Sequence, residues 1–99
     1  SSEAEWLGGV VKNVEGLGDQ SAYGLPDASG VIVMNIGEES LLSASAIQNG
    51  DVVRAVNDSK VENISQLLKF TSENRWKGEM TVTVIRNQSE QEIVINFRK

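Results

Sequence analysis

The side chains that most often carry enzymatic chemistry are missing from this sequence. Its 99 residues contain no His and no Cys. Neither a Ser-His-Asp nor a Cys-His nucleophile can therefore be assembled within the chain. The same two absences argue strongly against a structural zinc site, because such sites draw on Cys and His ligands. We expect no catalytic residues, no metal site and no cofactor.

The charged residues point away from both acid–base catalysis and nucleic acid. Glu38 and Glu39 are neighbours in the chain, so their side chains diverge in a helix or a strand. We interpret them as a solvated first turn rather than as an acid–base pair. The formal charge is −5, from 14 acidic and 9 basic side chains. No basic stripe is available to meet phosphates, and we expect no nucleic-acid partner.

One segment, Trp6-Leu7-Gly8-Gly9, could bind a ligand through its backbone. Successive N–H groups at Leu7, Gly8 and Gly9 can form a nest for a carboxylate. Glycine also lets a ligand approach closely, because it has no Cβ atom. The alternative is a β-bulge or a flexible strand entry. From these residues alone the alternative is favoured, since a pair of glycines is common.

The size and hydropathy of the chain limit its organisation. We expect a single domain over residues 1–99, because this length fits one domain and one modest core. The opening Ser1-Ser2-Glu3-Ala4-Glu5 has the character of a segment excised from a larger protein. No apolar run approaches 18 residues and no signal peptide is visible, so we expect no membrane insertion. Targeting signals leave the compartment undetermined.

The elements that must position this segment follow from apolar spacing. The pattern predicts α+β architecture with five to six mostly antiparallel strands and two helices. The predicted strands cover Trp6–Val11, Gly30–Ile36, Asp51–Asn57, Lys60–Val61, Met80–Ile85 and Glu92–Phe97. Gly30–Ile36 is expected to be a central strand buried on both faces. Residues 13–29 are expected to be a loop with at most one helical turn, at Gln20–Tyr23.

Two helices are predicted, each behind a capping residue. Ser40 precedes a short helix at Leu41–Ile47. The longer helix starts after Asn63, which forms a capping-box pattern with Gln66, and fades near Asn74.

The longer helix has apolar residues on two adjacent stripes. We expect one stripe, Leu67 and Phe70, to serve the core, and the other, Ile64, Leu68 and Thr71, to line a cleft. The alternative is that both stripes are core. Trp6 either flanks a ligand pocket or is a partly exposed packing residue.

Three stretches of this sequence are similar to the PDZ domains of the bacterial HtrA/Deg type. They are Gly30-Val31-Ile32-Val33, the segment Ser40–Asp51 running into Val52-Val53, and Asn57-Asp58-Ser59-Lys60-Val61 running into residues 63–71. The resemblance extends from Trp6 to Phe97. It implies a small, partly open PDZ-like β-barrel or sandwich and a non-catalytic interaction module. The sequence departs from the family pattern at Gly9, where the family usually carries a large apolar residue.

The resemblance implies a site for an extended peptide, with a C-terminal one expected. Its partner would be the C-terminus of a peptide or protein, bound by strand addition in a groove between the strand after Gly9 and the longer helix. The residues implied to contact the peptide are Trp6, Leu7, Gly8, Gly9, Val10, Val11, Lys12, Ile64, Leu68 and Thr71. It also implies further domains in a parent chain and a periplasmic or secreted setting.

A second hypothesis makes the chain a structural or regulatory domain of a larger secreted enzyme, such as a protease or another hydrolase. Its groove would be vestigial or filled by its own chain. The two hypotheses differ in what occupies the groove: a groove plugged by residues 13–29 would favour the second.

Overall fold

Seven strands and two helices form the fold in the computed structural model, which describes residues 3–98. In chain order they are β1 Glu3–Trp6, β2 Gly9–Asn13, α1 Gly16–Ala22, β3 Val31–Ile36, β4 Val52–Val56, β5 Ser59–Lys60, α2 Ile64–Arg75, β6 Glu79–Arg86 and β7 Ser89–Asn96. The strands lie in the order β1-β2-β3-β4-β6-β7, with β5 paired to β4. All pairings are antiparallel, which confirms the predicted α+β class.

Period-two alternation predicts the place of β6, whereas β7 starts at Ser89, ahead of its predicted start. Met80, Val82 and Val84 of β6 are buried. In β7, Ile95 is buried, whereas Val94 is 53% exposed. One face of this hairpin therefore covers the core, and the other is partly or fully exposed except at Ile85, which is buried.

Helix α2 begins where its capping pattern predicts. The Asn63 side chain accepts a hydrogen bond from the Gln66 backbone N–H at 3.0 Å. The Gln66 side chain accepts one from the Glu62 N–H at 2.8 Å. The first bond satisfies a donor that the start of a helix would otherwise leave unpaired, and the second ties the residue before the cap to the first turn.

The shorter helix is not where the sequence places it. Residues 41–44 form turns and residues 45–46 a bend, and the predicted helix there is wrong. The serine hydroxyls bond back to the local backbone instead, Ser43 to the Ser40 carbonyl at 2.7 Å and Ser45 to the Leu42 carbonyl at 2.6 Å. Such bonds compete with helical ones.

The second helix of the fold is α1, which is longer than the single turn expected within residues 13–29. Asp19 stabilises its start, because its carboxylate accepts from the Glu15 N–H at 2.9 Å and pairs with Lys12 at 3.3 Å. The hydrogen bond from Glu15, with a smaller contribution from Lys12, lowers the pKa of Asp19.

The core is divided by the sheet into a large cluster and a small one. The large cluster lies beneath α2 and includes Val31, Val33 and Leu67. The small cluster includes Ile32 with Leu25 and packs against Tyr23, under the α1 segment. Strand β3 is therefore buried on both faces only over residues 31–33. Met34, at 42%, and Asn35 are exposed, and Ile36 is partly buried, contrary to the prediction for the whole strand.

The described residues contain no helix that is long and apolar enough to cross a membrane.

Candidate functional site

Strand β2 has a partner on each edge. On one side it pairs with β3, from Gly9 opposite Ile36 to Asn13 opposite Val31. On the other side it pairs with β1, a strand that the sequence analysis did not predict. The edge that was assigned to an incoming peptide is therefore covered by residues 3–6, and not by residues 13–29.

Strand β1 alternates like a half-buried strand. Trp6 is 2% exposed and Ala4 packs against the core, whereas Glu3 and Glu5 are exposed. Four residues with this alternation are too few to mark a strand by pattern alone. Trp6 is thus a buried residue rather than a partly exposed one.

Trp6 joins β1 to α2. Its indole Nε1 donates a hydrogen bond to the Thr71 hydroxyl at 2.9 Å, and both residues are buried. Buried indole N–H groups need such a partner. Two of the predicted site residues, 65 positions apart, therefore contact each other directly.

The segment Leu7-Gly8 is the two-residue turn of the β1–β2 hairpin. Its φ angles, 50° at Leu7 and 86° at Gly8, are both positive, as a type I′ turn requires. The Gly8 carbonyl accepts from the Gly37 N–H at 3.0 Å. A Cβ atom at Gly8 would lie 2.4 Å from the Ser40 Cβ, so this turn has no space for a side chain there.

Gly9 is packed against two neighbours, which explains its departure from the family pattern. A Cβ atom there would lie 2.6 Å from the Asn35 carbonyl oxygen and 2.8 Å from Leu42 Cδ1. Leu42 is fully buried. Its side chain fills the space that a larger residue at position 9 would need.

The rest of β2 alternates between the core and the surface. Val10 is 37% exposed, whereas Val11 is fully buried. Lys12 is half-buried and pairs with Asp19. Since the Val11 side chain belongs to the core, only its backbone could contribute to a peptide site.

On α2 the two predicted stripes differ in burial. Leu67 is fully buried and Leu68 is 41% exposed. Ile64 and Phe70 are partly buried against the core. Thr71 is 6% exposed and its hydroxyl is hydrogen-bonded to the Trp6 indole, so its side chain does not line open space.

Asn13, which the sequence analysis did not single out, sets the spacing between β2 and α2. Its side-chain oxygen accepts from the Ile64 backbone N–H at 2.7 Å. The bond fastens the start of the helix to the end of the strand. An Asn four residues beyond a glycine pair carries no sequence signal for this role.

A second polar centre lies at the other end of the sheet. Asp51 is 1% exposed and accepts from Arg86 at 2.8 and 2.7 Å and from the Gln48 N–H at 2.9 Å. Hydrogen bonding to Asp51 raises the pKa of Arg86. These bonds pair the buried carboxylate fully, which is typical of a structural ion pair. Residues 3–98 hold no cluster of three or more His, Cys, Asp or Glu that could bind a metal.

Trp76 lies outside both centres. It is 78% exposed and directly follows the last residue of α2.

Solved structures match this fold at low sequence identity. The HtrA3 PDZ domain, bound to a phage-derived ligand (FGRWV), is 21% identical with a TM-score of 0.75, over 95% of this chain and 86% of that one. The HtrA-type protease AlgW with a decapeptide is 17% identical with a TM-score of 0.75. A second AlgW structure with a decapeptide has a TM-score of 0.78. This chain spans 29% of the AlgW chain.

The family assignment rests on a sequence match that covers most of the chain. No curated protein matches the chain in sequence. The family model for the PDZ domain, however, matches residues 6–97, which run from the hairpin turn to the end of the sheet. The chain therefore belongs to the PDZ domain family.

Proposed function

We propose that this PDZ domain is a non-catalytic interaction module that binds an extended peptide between β2 and α2. The observation that carries the proposal is the docking of β1, which pairs with β2 over four residue pairs in antiparallel register. A peptide that adds a strand to β2 would make main-chain hydrogen bonds of the same kind. In the proposed picture, β1 stands where the peptide would lie.

An external peptide must then compete with β1. The two-residue turn tethers β1 to its site, and short tethers give effective concentrations on the order of millimolar. Ordering a short peptide costs further free energy. We therefore propose weak binding for a peptide in trans.

The proposed contacts follow the geometry around the hairpin turn. The carboxylate of a C-terminal peptide would meet the N–H groups of Leu7, Gly8 and Gly9. Its last side chain would lie against Leu7, Ile64 and Leu68. The supporting observations are that Leu7 and Ile64 are partly buried beside the core and that Leu68 retains 41% exposure. These residues could cover an apolar ligand side chain once β1, with the buried Trp6, has left the groove.

A second candidate function is favoured by the same β1 strand. If β1 never leaves, the domain is a structural or regulatory unit of a larger secreted enzyme with a self-occupied groove. The Trp6–Thr71 hydrogen bond supports this candidate, because it fixes β1 to α2 in a buried environment. The two candidates differ in one property, the exchange of β1 with an external strand.

A titration followed by backbone amide NMR separates the candidates. The ligands are a peptide with a free C-terminal carboxylate and an apolar last residue, and the same peptide amidated. We expect the free form to shift the amide signals of Val10–Lys12 and of residues 64–71. Amidation should weaken binding, because it removes the charge that the turn N–H groups would hold.

Two results would change the proposal. If neither peptide shifts the β2 and α2 signals at millimolar concentration, β1 does not exchange and the second candidate replaces the first. Equal affinity of the free and amidated peptides would remove the carboxylate site while leaving the groove.

The wider setting is part of the same proposal. We place the domain beside other domains of a parent chain in a periplasmic or secreted bacterial protein. The partner is a peptide or protein C-terminus rather than nucleic acid, in keeping with the net charge of −5.

A further inference from the structure

We infer that the groove selects a strand with Trp facing Thr71 and a small residue two positions earlier, and that this strand need not end in a carboxylate. The inference rests on the proposed function and names the class of its partner: an internal or terminal segment of small-x-Trp pattern. β1 itself, with Ala4 and Trp6, is the occupant that satisfies the pattern within the chain.

The selectivity for Trp comes from a single buried acceptor. The Thr71 hydroxyl accepts from the indole N–H at 2.9 Å, and Thr71 is only 6% exposed. A ligand side chain could fill the space of the Trp6 indole without carrying an N–H group. It would then exclude water and leave the Thr71 hydroxyl without a hydrogen-bond donor. Leaving a buried polar group unpaired costs more than making the bond returns. Trp combines the required donor with a large apolar surface.

The small residue follows from strand periodicity. Ala4 and Trp6 lie on the same face of β1, since alternate residues of a strand point the same way. Ala4 stands opposite Val11 and is partly buried against the core. A large residue at this position would have to displace packed side chains. Glu3 and Glu5 face away and are exposed, so the intervening positions impose no such limit.

The carboxylate is dispensable because the present occupant has none at this point. The chain does not end at Trp6 but continues through Leu7 and Gly8 into β2. The groove therefore holds a strand whose backbone passes on beyond the pocket. A partner segment within a folded or extended protein meets the same requirement.

The test uses the full chain carrying Trp6→Ala, which empties the indole pocket and weakens β1. The probe is the acetylated and amidated peptide Glu-Ala-Glu-Trp-Leu-Gly, which repeats residues 3–8. A matched probe replaces Trp by benzothienylalanine, which has sulfur in place of the indole N–H. We expect the Trp peptide to bind about tenfold more tightly than its isostere, and to raise the unfolding temperature of the variant.

Thr71→Val in the Trp6→Ala background is the control, because it removes the acceptor and keeps the shape. In this double variant the affinities of the Trp peptide and its isostere should become equal, a ratio of about one. If the two peptides already bind equally when Thr71 is present, the selectivity is overturned while the groove stands. If a free-acid apolar peptide binds and neither of these does, the inference alone is overturned. If no peptide binds the folded variant, the proposed function fails as well.

If the Trp6→Ala variant does not fold, a double-mutant cycle on the chain without peptide tests the hydrogen bond instead. Trp6→Phe, Thr71→Val and the double variant are compared by urea unfolding. We expect the single changes to be coupled by about fivefold in the unfolding equilibrium constant; additive effects would refute the role of the hydrogen bond. Trp76, 78% exposed, supplies an internal reference, since its indole N–H should exchange fast while that of Trp6 is protected.

Discussion

Leu68→Lys distinguishes the groove from the core on a single helix. Full burial of a leucine side chain contributes about 1.5–3 kcal/mol. Leu68 remains 41% exposed, so its share is about 1–2 kcal/mol. The aliphatic stem of Lys retains part of that contact while its charge stays in water. We expect the free energy of unfolding in urea to fall by about 1 kcal/mol or less.

Peptide binding should respond far more strongly than stability. An ammonium group beside the apolar last residue of a ligand would have to lose water without gaining a partner. We expect the affinity for a free-acid apolar peptide to fall at least about tenfold in the NMR titration, a loss of roughly 1.4 kcal/mol or more.

Leu67 provides the matched control, because it is the adjacent residue and is fully buried. Leu67→Lys should abolish folding, whereas Leu68→Met should preserve both stability and binding. Wild-type affinity in Leu68→Lys would refute the assignment of this residue to the groove. Loss of folding in Leu68→Lys would show that its contact with the core is larger than its exposure implies.

Three further predictions concern stability and are read out by urea unfolding. Asn63→Ala should cost about 1 kcal/mol through the lost cap of α2, and an unchanged midpoint would contradict it. Arg86→Met should cost about 3–5 kcal/mol, because Asp51 would stay buried without its cation; the change should be smaller in Arg86→Lys. Arg54, donating to Asp27 at 2.9 Å, holds the pKa of that carboxyl well below its usual range. This depressed pKa contributes stability above about pH 3.9 that is lost as the pH falls, so Asp27→Asn should flatten the acid limb of the stability profile; an identical acid limb would refute the contribution.

Much of the fold could be predicted from the sequence because its signals are local. The capping residue Asn63 and the apolar stripe after it define α2 within a dozen residues. The alternation in Met80–Ile85 similarly marks β6, whose partner β7 follows after a short turn. The order of these elements and the residues of their turns are enough to indicate the PDZ family. Neither feature depends on what lies between β2 and α2.

Where local signals conflict, packing decides. Ser40 is a reasonable helix cap, and it does accept from the Ser43 N–H at 3.0 Å. The helix does not continue. The Ala44 N–H still bonds the Ser40 carbonyl at 3.2 Å, but the Ser45 N–H bonds the Leu42 carbonyl, one residue short of the helical spacing. The Ser43 and Ser45 hydroxyls bond the same two carbonyls, which competes with regular helix formation. In α1 the balance is opposite, since Asp19 stabilises a helix in a segment rich in glycine.

The sequence by itself determined the absence of His and Cys, the α+β class and the long helix. Only the tertiary structure decided that β1 pairs with the edge of β2 that was assigned to a peptide. A four-residue strand carries too little pattern to be recognised, and its stability comes from partners that are distant in the chain. Trp6 is hydrogen-bonded to Thr71, which is 65 positions away in the sequence. Asn13 is hydrogen-bonded to the first residue of α2, which is 51 positions away. Such contacts exist only once the sheet has brought β2 and α2 side by side, because side-chain hydrogen bonds of this kind depend on distance in space and not on spacing in sequence.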